Sequence, residues 1–296
     1  MSNDYMVRAL SENGEVRAFA VTSRDLVEYA RQIHQVSPVA IAALGRTLSA
    51  ALMMGDMLKS KDDLITVIIQ GDGPLKQILA TADMSGNVKG YVSVNDVDMP
   101  LKENGHLDVG DAVGNGKLTV IKDYGLKDPY VSSVDLVTGE IAEDITYYYA
   151  QSEQIPTVCG LGVLIDPDIT VSQAGGFIVQ LMPHASEETI ARIENNLEHF
   201  TSVTKLYSEG KTPEDLISIV MDGLNPVFTE RKDVMFKCSC SYEKGENALL
   251  KLSEQELKEI IDSGEDQTVT CAFCNKTYTY TREDIEKLLE RKARLH

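Results

Sequence analysis

Over the first twenty residues apolar and polar positions alternate: Tyr5 to Leu10, a turn at Glu12-Asn13-Gly14, then Val16 to Val21 returning as the second arm of a hairpin. The period then lengthens. Behind Ser23 as N-cap, Leu26, Tyr29, Ala30 and Ile33 fall at helical spacing, and Pro38 opens a second helix carrying Leu44, Leu48, Leu52 and Met53. Met53, Met54 and Met57 read as core packing rather than an adaptable binding surface. From Asp63 to Val94 the period returns to two, with turns at Gly71-Asp72-Gly73-Pro74 and Ser85-Gly86-Asn87, which predicts an antiparallel meander. Lys117 to Tyr124 and Tyr130 to Val137 read as further strands, Ile141 to Gln154 as a helix, and Thr157 to Ile165 and Thr170 to Met182 as strands. Gly175-Gly176 marks a bulge or a close backbone approach. This order predicts an α+β fold whose sheet-and-helix core domain spans 1–182.

Past Pro183 the pattern is helical. Ser186 caps a helix with the stripe Ile190, Ile193, Leu197 and Phe200, and Thr212-Pro213-Glu214-Asp215 opens another with Leu216, Ile219 and Val220, ended by Gly223. Thr201 to Thr204 between them has low helix propensity. Helices this short are marginal alone in water, so residues 183–235 read as a metastable helical linker that depends on docking. In the last segment, 236–296, Ser253-Glu254-Gln255-Glu256 is a capping box for a helix stopped near Gly264, and Thr281 caps a final helix. So few large apolar side chains need a staple to fold firmly.

Composition narrows the function. Lys and Arg number 28 against 46 Asp and Glu, a net charge of −18, which repels phosphate backbones and argues against nucleic acid as a partner. Residues 236–296 carry 10 basic and 12 acidic side chains, so the acidity belongs to the large domain. The run Met1-Ser2-Asn3-Asp4-Tyr5 has neither a basic nor an apolar leader region, and the apolar stretch Pro38 to Leu58 is broken by Arg46 and Asp56. The reading is a cytoplasmic chain without a membrane span, in a reducing compartment. Gly71-Asp72-Gly73 and Gly114-Asn115-Gly116 lack the Lys-Ser/Thr of a phosphate loop and read as tight turns. His34, His106, His184, His199 and His296 are scattered, no catalytic constellation emerges, and the chain reads as a non-enzyme.

Four of the five cysteines form two tight pairs, Cys238-Ser239-Cys240 and Cys271-Ala272-Phe273-Cys274, thirty residues apart. Two thiolate pairs can close a tetrahedron around zinc with S–Zn distances of about 2.3 Å and no open position. Cys-x-Cys can also close only a small, strained disulfide ring, and strained disulfides are labile. A structural zinc ribbon and an oxidant-sensitive thiol switch are both consistent with the spacing. A thioredoxin-like exchanger fits poorly, because its Cys-x-x-Cys opens a helix and this one lies between strand-like residues. Cys159, inside an apolar strand, reads as a buried inert thiol.

The cysteine arrangement resembles the redox-regulated heat-shock chaperones of bacteria, the 33 kDa chaperonin family. Similar stretches run along the chain: Gly45-Arg46-Thr47-Leu48, Ile68 to Pro74, Val113-Gly114-Asn115-Gly116, Ser152 to Thr157 and Ala174-Gly175-Gly176. The resemblance implies a holdase that is idle when reduced, with one zinc ion on Cys238, Cys240, Cys271 and Cys274. It further implies that hypochlorous acid, or peroxide with heat, forms the disulfides Cys238–Cys240 and Cys271–Cys274 and releases the zinc. The linker then unfolds and exposes apolar surface to unfolding client proteins, with dimerisation. Cys159 lies outside the motif and inherits no role. The competing function is an interaction module whose zinc ribbon is a permanent clamp.

Overall fold

The N-terminal hairpin forms as β1 (Tyr5–Leu10) and β2 (Val16–Thr22), with Met6 opposite Val21 and Leu10 opposite Arg17. The computed structural model describes residues 3–293; Met1, Ser2 and His296 lie outside the described residues. Helix α1 (Arg24–His34) follows Ser23, but the Ser23 hydroxyl bonds to Ser49 Oγ (2.8 Å) instead of capping. Asp4 takes over the cap by accepting from Leu26 N at 2.7 Å.

Helix α2 (Pro38–Gly55) is apolar almost all round, and nearly every residue of it is buried, Met53 and Met54 included. A helix without a polar face must be covered on all sides. One cover is a six-stranded sheet of β3 (Leu64–Gly71), β4 (Gln77–Asp83), β5 (Asn87–Val92), β6 (Gly116–Asp123) and β7 (Tyr130–Asp135), completed by a short strand from later in the chain. The short helix α3 (Val109–Val113) leads into the turn before β6, and the two Gly-rich turns lock together there: Asp72 N donates to Asn115 O and Gly73 N to Val113 O. A Cβ on Gly71 would sit 1.9 Å from Val113 O. The glycines are needed for close approach.

The expected helix from Ile141 to Gln154 splits into α4 (Ala142–Tyr148) and a π-helical turn, Tyr149–Glu153. The wider turn lets successive tyrosines point inward, Tyr148 OH donating to Glu153 Oε1 (2.6 Å) and Tyr149 OH to Met57 Sδ (3.2 Å). Strands β8 (Thr157–Ile165) and β9 (Val171–Leu181) then join the hairpin. At Gly175-Gly176 the close-approach reading holds, since a Cβ on Gly175 would lie 2.2 Å from Val21 O. The register irregularity sits elsewhere, between Leu164 and Ile165.

Helices α5 (Glu187–Glu198), α6 (Val203–Ser208) and α7 (Pro213–Val220) follow, capped by Ser186, Ser202 and Thr212. Tertiary packing overrides the weak propensity of Val203 and Thr204, which enter α6. The helical expectation fails over β10 (Val227–Asp233) and β11 (Met235–Phe236). β10 pairs antiparallel with β1 and β11 parallel with β5. The five-stranded sheet therefore runs β10-β1-β2-β9-β8, and the six-stranded one β11-β5-β4-β3-β6-β7.

The five-stranded sheet has two apolar faces. Phe19, Val21 and Ile178 look toward α2, while Val7, Ala18, Ala20, Phe177 and Val179 pack against Ile193, Val203, Tyr207, Leu216 and Val220 of the later helices. The chain divides into two compact units, Met1–Lys237 and Cys238–His296. The second contains α8 (Tyr242–Leu249), α9 (Glu254–Ser263), the hairpin β12 (Gln267–Thr270) and β13 (Thr277–Tyr280), and α10 (Arg282–Ala293). The pattern of apolar residues gives no sign of helix α8, since they are few there; Ser241 caps it by accepting from Lys244 N.

Candidate metal centre

The second unit has a small core: Leu249, Leu257, Ile261, Tyr280, Ile285 and Leu288 are its buried side chains. Tyr280 lies at its centre and donates to Tyr242 O at 2.7 Å. A Cβ on Gly245 would fall 1.9 Å from the Tyr280 hydroxyl, so α8 can pass Tyr280 only with glycine there.

The β12–β13 hairpin carries Cys271 and Cys274 in its turn. Cys274 N and Asn275 N both donate to Cys271 O (3.3 and 2.8 Å), and Cys271 N donates to Lys276 O (3.0 Å). Asn275 takes the left-handed conformation (φ 55°), tolerable for asparagine, that lets the chain return into β13. Cys238 and Cys240 come from the segment leading to α8, where Lys244 Nζ holds Ser239 O at 2.7 Å and Ser239 Oγ at 3.0 Å.

These two pieces bring all four Sγ atoms within 4.8 Å of one another. Cys238 Sγ lies 3.6 Å from Cys271 Sγ and Cys240 Sγ 3.4 Å from Cys274 Sγ. A regular tetrahedron with arms of about 2.3 Å has edges of about 3.8 Å, so the sulfurs already stand where a four-thiolate zinc site needs them. Disulfides would require about 2 Å; the cysteines here are free thiols. Softness and number of donors fit zinc better than a hard cation.

The thiols share protons unevenly. Burial and the hydrogen bonds it gives to its neighbours push Cys238 up to about 12. Burial opposes the Cys240 thiolate too, but the hydrogen bonds from Tyr278 and the other thiols outweigh it and bring Cys240 down to about 7. Burial also raises Cys274. Tyr278 OH donates to Cys240 Sγ at 3.2 Å, and that bond is the main reason its own pKa rises to about 12. Tyr278 thus supports a ligand from outside the sulfur set, a role no sequence spacing announced.

The remaining chemistry-bearing residues stay apart. Cys159 is buried in β8, and burial pushes its thiol far up, as an inert packing residue requires. His34 is buried against Gly90 O (3.1 Å), and among the described residues the four cysteines form the one gathered set of soft metal donors.

The Hsp33 protein family model matches residues 4–281. The chain is 50% identical to the 33 kDa chaperonin of Clostridioides difficile over 97% of its length and 99% of that protein's. It is 48% identical to the 33 kDa chaperonin of Agathobacter rectalis, again over 97% and 99%. The crystal structure of the 33 kDa chaperonin of Thermotoga maritima superposes with a TM-score of 0.92 at 37% identity, covering 99% of this chain and all of that one. With the α+β core, the four-cysteine cluster near the C-terminus and these similarities in agreement, the chain belongs to the Hsp33 family of 33 kDa chaperonins, which are chaperones and not enzymes.

Proposed function

We propose that the chain is a redox-regulated cytoplasmic holdase, zinc-bound and idle when reduced, that protects unfolding client proteins from aggregation once oxidised. The observation that carries this reading is the sulfur cluster, in which Cys238, Cys240, Cys271 and Cys274 lie within 4.8 Å of each other as free thiols. When bound, zinc supplies a closed structural cross-link between the Cys238–Cys240 segment and the β12–β13 turn.

Oxidation removes the donors. Four thiolates give up four electrons to two molecules of hydrogen peroxide, which take up four protons and leave as four waters, while two S–S bonds form. Distance does not select the pairing, because the short contacts run between the pairs. The pairs Cys238–Cys240 and Cys271–Cys274 are those that the resemblance to the 33 kDa chaperonin family implies.

The client surface in this reading is the outer face of the five-stranded sheet. Undocking of the 183–235 segment uncovers Val7, Ala18, Ala20, Phe177 and Val179, an apolar patch that invites unfolded chains and a second copy of the protein. The test is light scattering from a thermally unfolding client, with reduced zinc-loaded protein and with peroxide-treated protein, while a chromogenic chelator reports released zinc. Suppression only after oxidation, with about one zinc released per chain, is the expected result. Equal suppression by both forms, or zinc retained through oxidation, overturns the switch and leaves the zinc ribbon as a permanent clamp of an interaction module.

A further inference from the structure

A cavity of about 400 Å³ opens where the first linker residues leave the five-stranded sheet. Its walls are apolar: Ile155, Pro156, Leu181 and Met182 from the core, and Ala185 and Ile190 from the start of the helical segment. Into this setting β2 sends Arg17.

Among the described residues, Arg17 has no carboxylate paired with it. Its guanidinium donates to the neutral Gln180 Oε1 (2.6 Å) and lies 5.5 Å from the Phe19 ring, while its Nε is buried with no partner. The carboxylate whose field reaches it, Asp56, is already taken by Arg8 (3.1 Å) and by Lys232. A guanidinium stays charged in proteins, and holding one half-buried beside apolar walls costs free energy unless an anion visits. The chain is also bent to make the cavity. Gln154 and His184, both lining it, take left-handed conformations (φ 55° and 72°), and the π-helical turn Tyr149–Glu153 runs directly into Gln154. Such departures cluster at binding sites.

We propose that this cavity binds a medium-chain carboxylate, its head on the Arg17 guanidinium and its hydrocarbon tail against Ile155, Leu181, Met182 and Ile190. Carboxylate and guanidinium match in a two-pronged, charge-assisted pair, and the cavity is of the size that takes a small amphiphile. Because its walls come from both the core and the Pro183–Ile190 stretch, the bound acid fastens the beginning of α5 to the sheet. Ligand binding to the docked form alone stabilises that form by mass action.

The experiment is calorimetric titration of the reduced, zinc-loaded full chain with sodium octanoate and with octanol, alongside hydrogen exchange over 183–198. Octanoate should bind saturably at one site, octanol at least tenfold more weakly, and exchange over 183–198 should slow with octanoate. Arg17→Gln should weaken octanoate at least tenfold. Ala185→Leu, which fills the cavity and leaves Arg17 in place, should abolish binding even if Arg17→Gln proves poorly folded. Equal affinity for octanol, binding untouched by Ala185→Leu, or no binding overturns the proposal. So would Arg17-dependent binding of a peptide through its C-terminal carboxylate with none of octanoate, which would make the cavity a peptide site.

Discussion

At the scale of single residues, a few hydrogen bonds set the behaviour of whole elements. Tyr278 OH on Cys240 Sγ is one (3.2 Å). Tyr278→Phe keeps the ring that packs edge-on against Tyr242 and removes only the donor. Zinc affinity measured by chelator competition should fall by about ten- to a hundred-fold, as for other partners of metal ligands. An unchanged affinity would mean that the bond is incidental. Glu28 is another: it accepts from Arg31 at 2.7 and 2.8 Å, from Val171 N at 2.9 Å and from Gln32 at 2.8 Å, tying α1 to β9. The Arg31 bonds, before the others, hold its carboxyl down at about 2 against an ordinary 4.5. A depressed carboxyl contributes stability that is complete above its unfolded pKa and disappears as pH falls through the folded one. Glu28→Gln should therefore cost on the order of 1 kcal/mol near neutral pH, allowing for solvent screening, and the gap should close between about pH 4.5 and 2. Urea denaturation of both proteins across that range checks the sign.

At the scale of elements, β10 is held to the core by charge as much as by its ladder. Lys232 reaches from β10 to Asp56, whose side chain is 1% exposed, and also donates to Met84 O at 2.8 Å. Asp56 receives Arg8 on its other carboxylate oxygen at 3.1 Å. Removing one partner of a buried charge costs more than the pair itself contributes, about 3 kcal/mol or more. Lys232→Met should destabilise by that order and speed hydrogen exchange over Val227–Asp233, while the Lys232→Met, Asp56→Asn double variant should recover part of the loss. Helices α5, α6 and α7 are held differently, by caps, an apolar face and the buried Tyr207 hydroxyl on Val21 O (2.8 Å). The caps form within each helix, whereas the apolar contacts and the Tyr207 bond form only against the sheet.

At the scale of the whole molecule, the two compact units meet in sequence at Lys237 and Cys238. Truncation after Lys237 leaves β11 intact on β5, so the sheets should survive, with the strand content of that unit retained in circular dichroism. If the zinc-bound unit is what keeps the 183–235 segment docked, the truncated chain should bind a hydrophobic dye more strongly than the intact reduced protein and suppress client aggregation without oxidant. The basis is magnitude: structural zinc contributes on the order of 10 kcal/mol to small domains, and local opening of a docked helix needs only a few. Truncated protein with no added dye binding and no activity would leave the zinc unit without a regulatory hold.

What the sequence determined by itself was whatever is encoded locally. Alternation and apolar runs placed β1 to β9, capping residues placed α5, α7, α9 and α10, and the two tight pairs Cys238/Cys240 and Cys271/Cys274 pointed to a shared ligand set. Only the tertiary structure decided features whose partners are distant in the chain. β10 is a polar strand with no apolar alternation, and it exists because β1 offers it a ladder more than two hundred residues away. The π-helical turn carries Tyr149, whose hydroxyl reaches Met57 92 residues away, and the Asp4 cap on α1 and the Tyr278 bond to Cys240 join residues 22 and 38 apart. Periodicity records how a residue meets its near neighbours, whereas burial of a charge, a strand's edge or a ligand's supporting bond depends on which remote backbone arrives beside it.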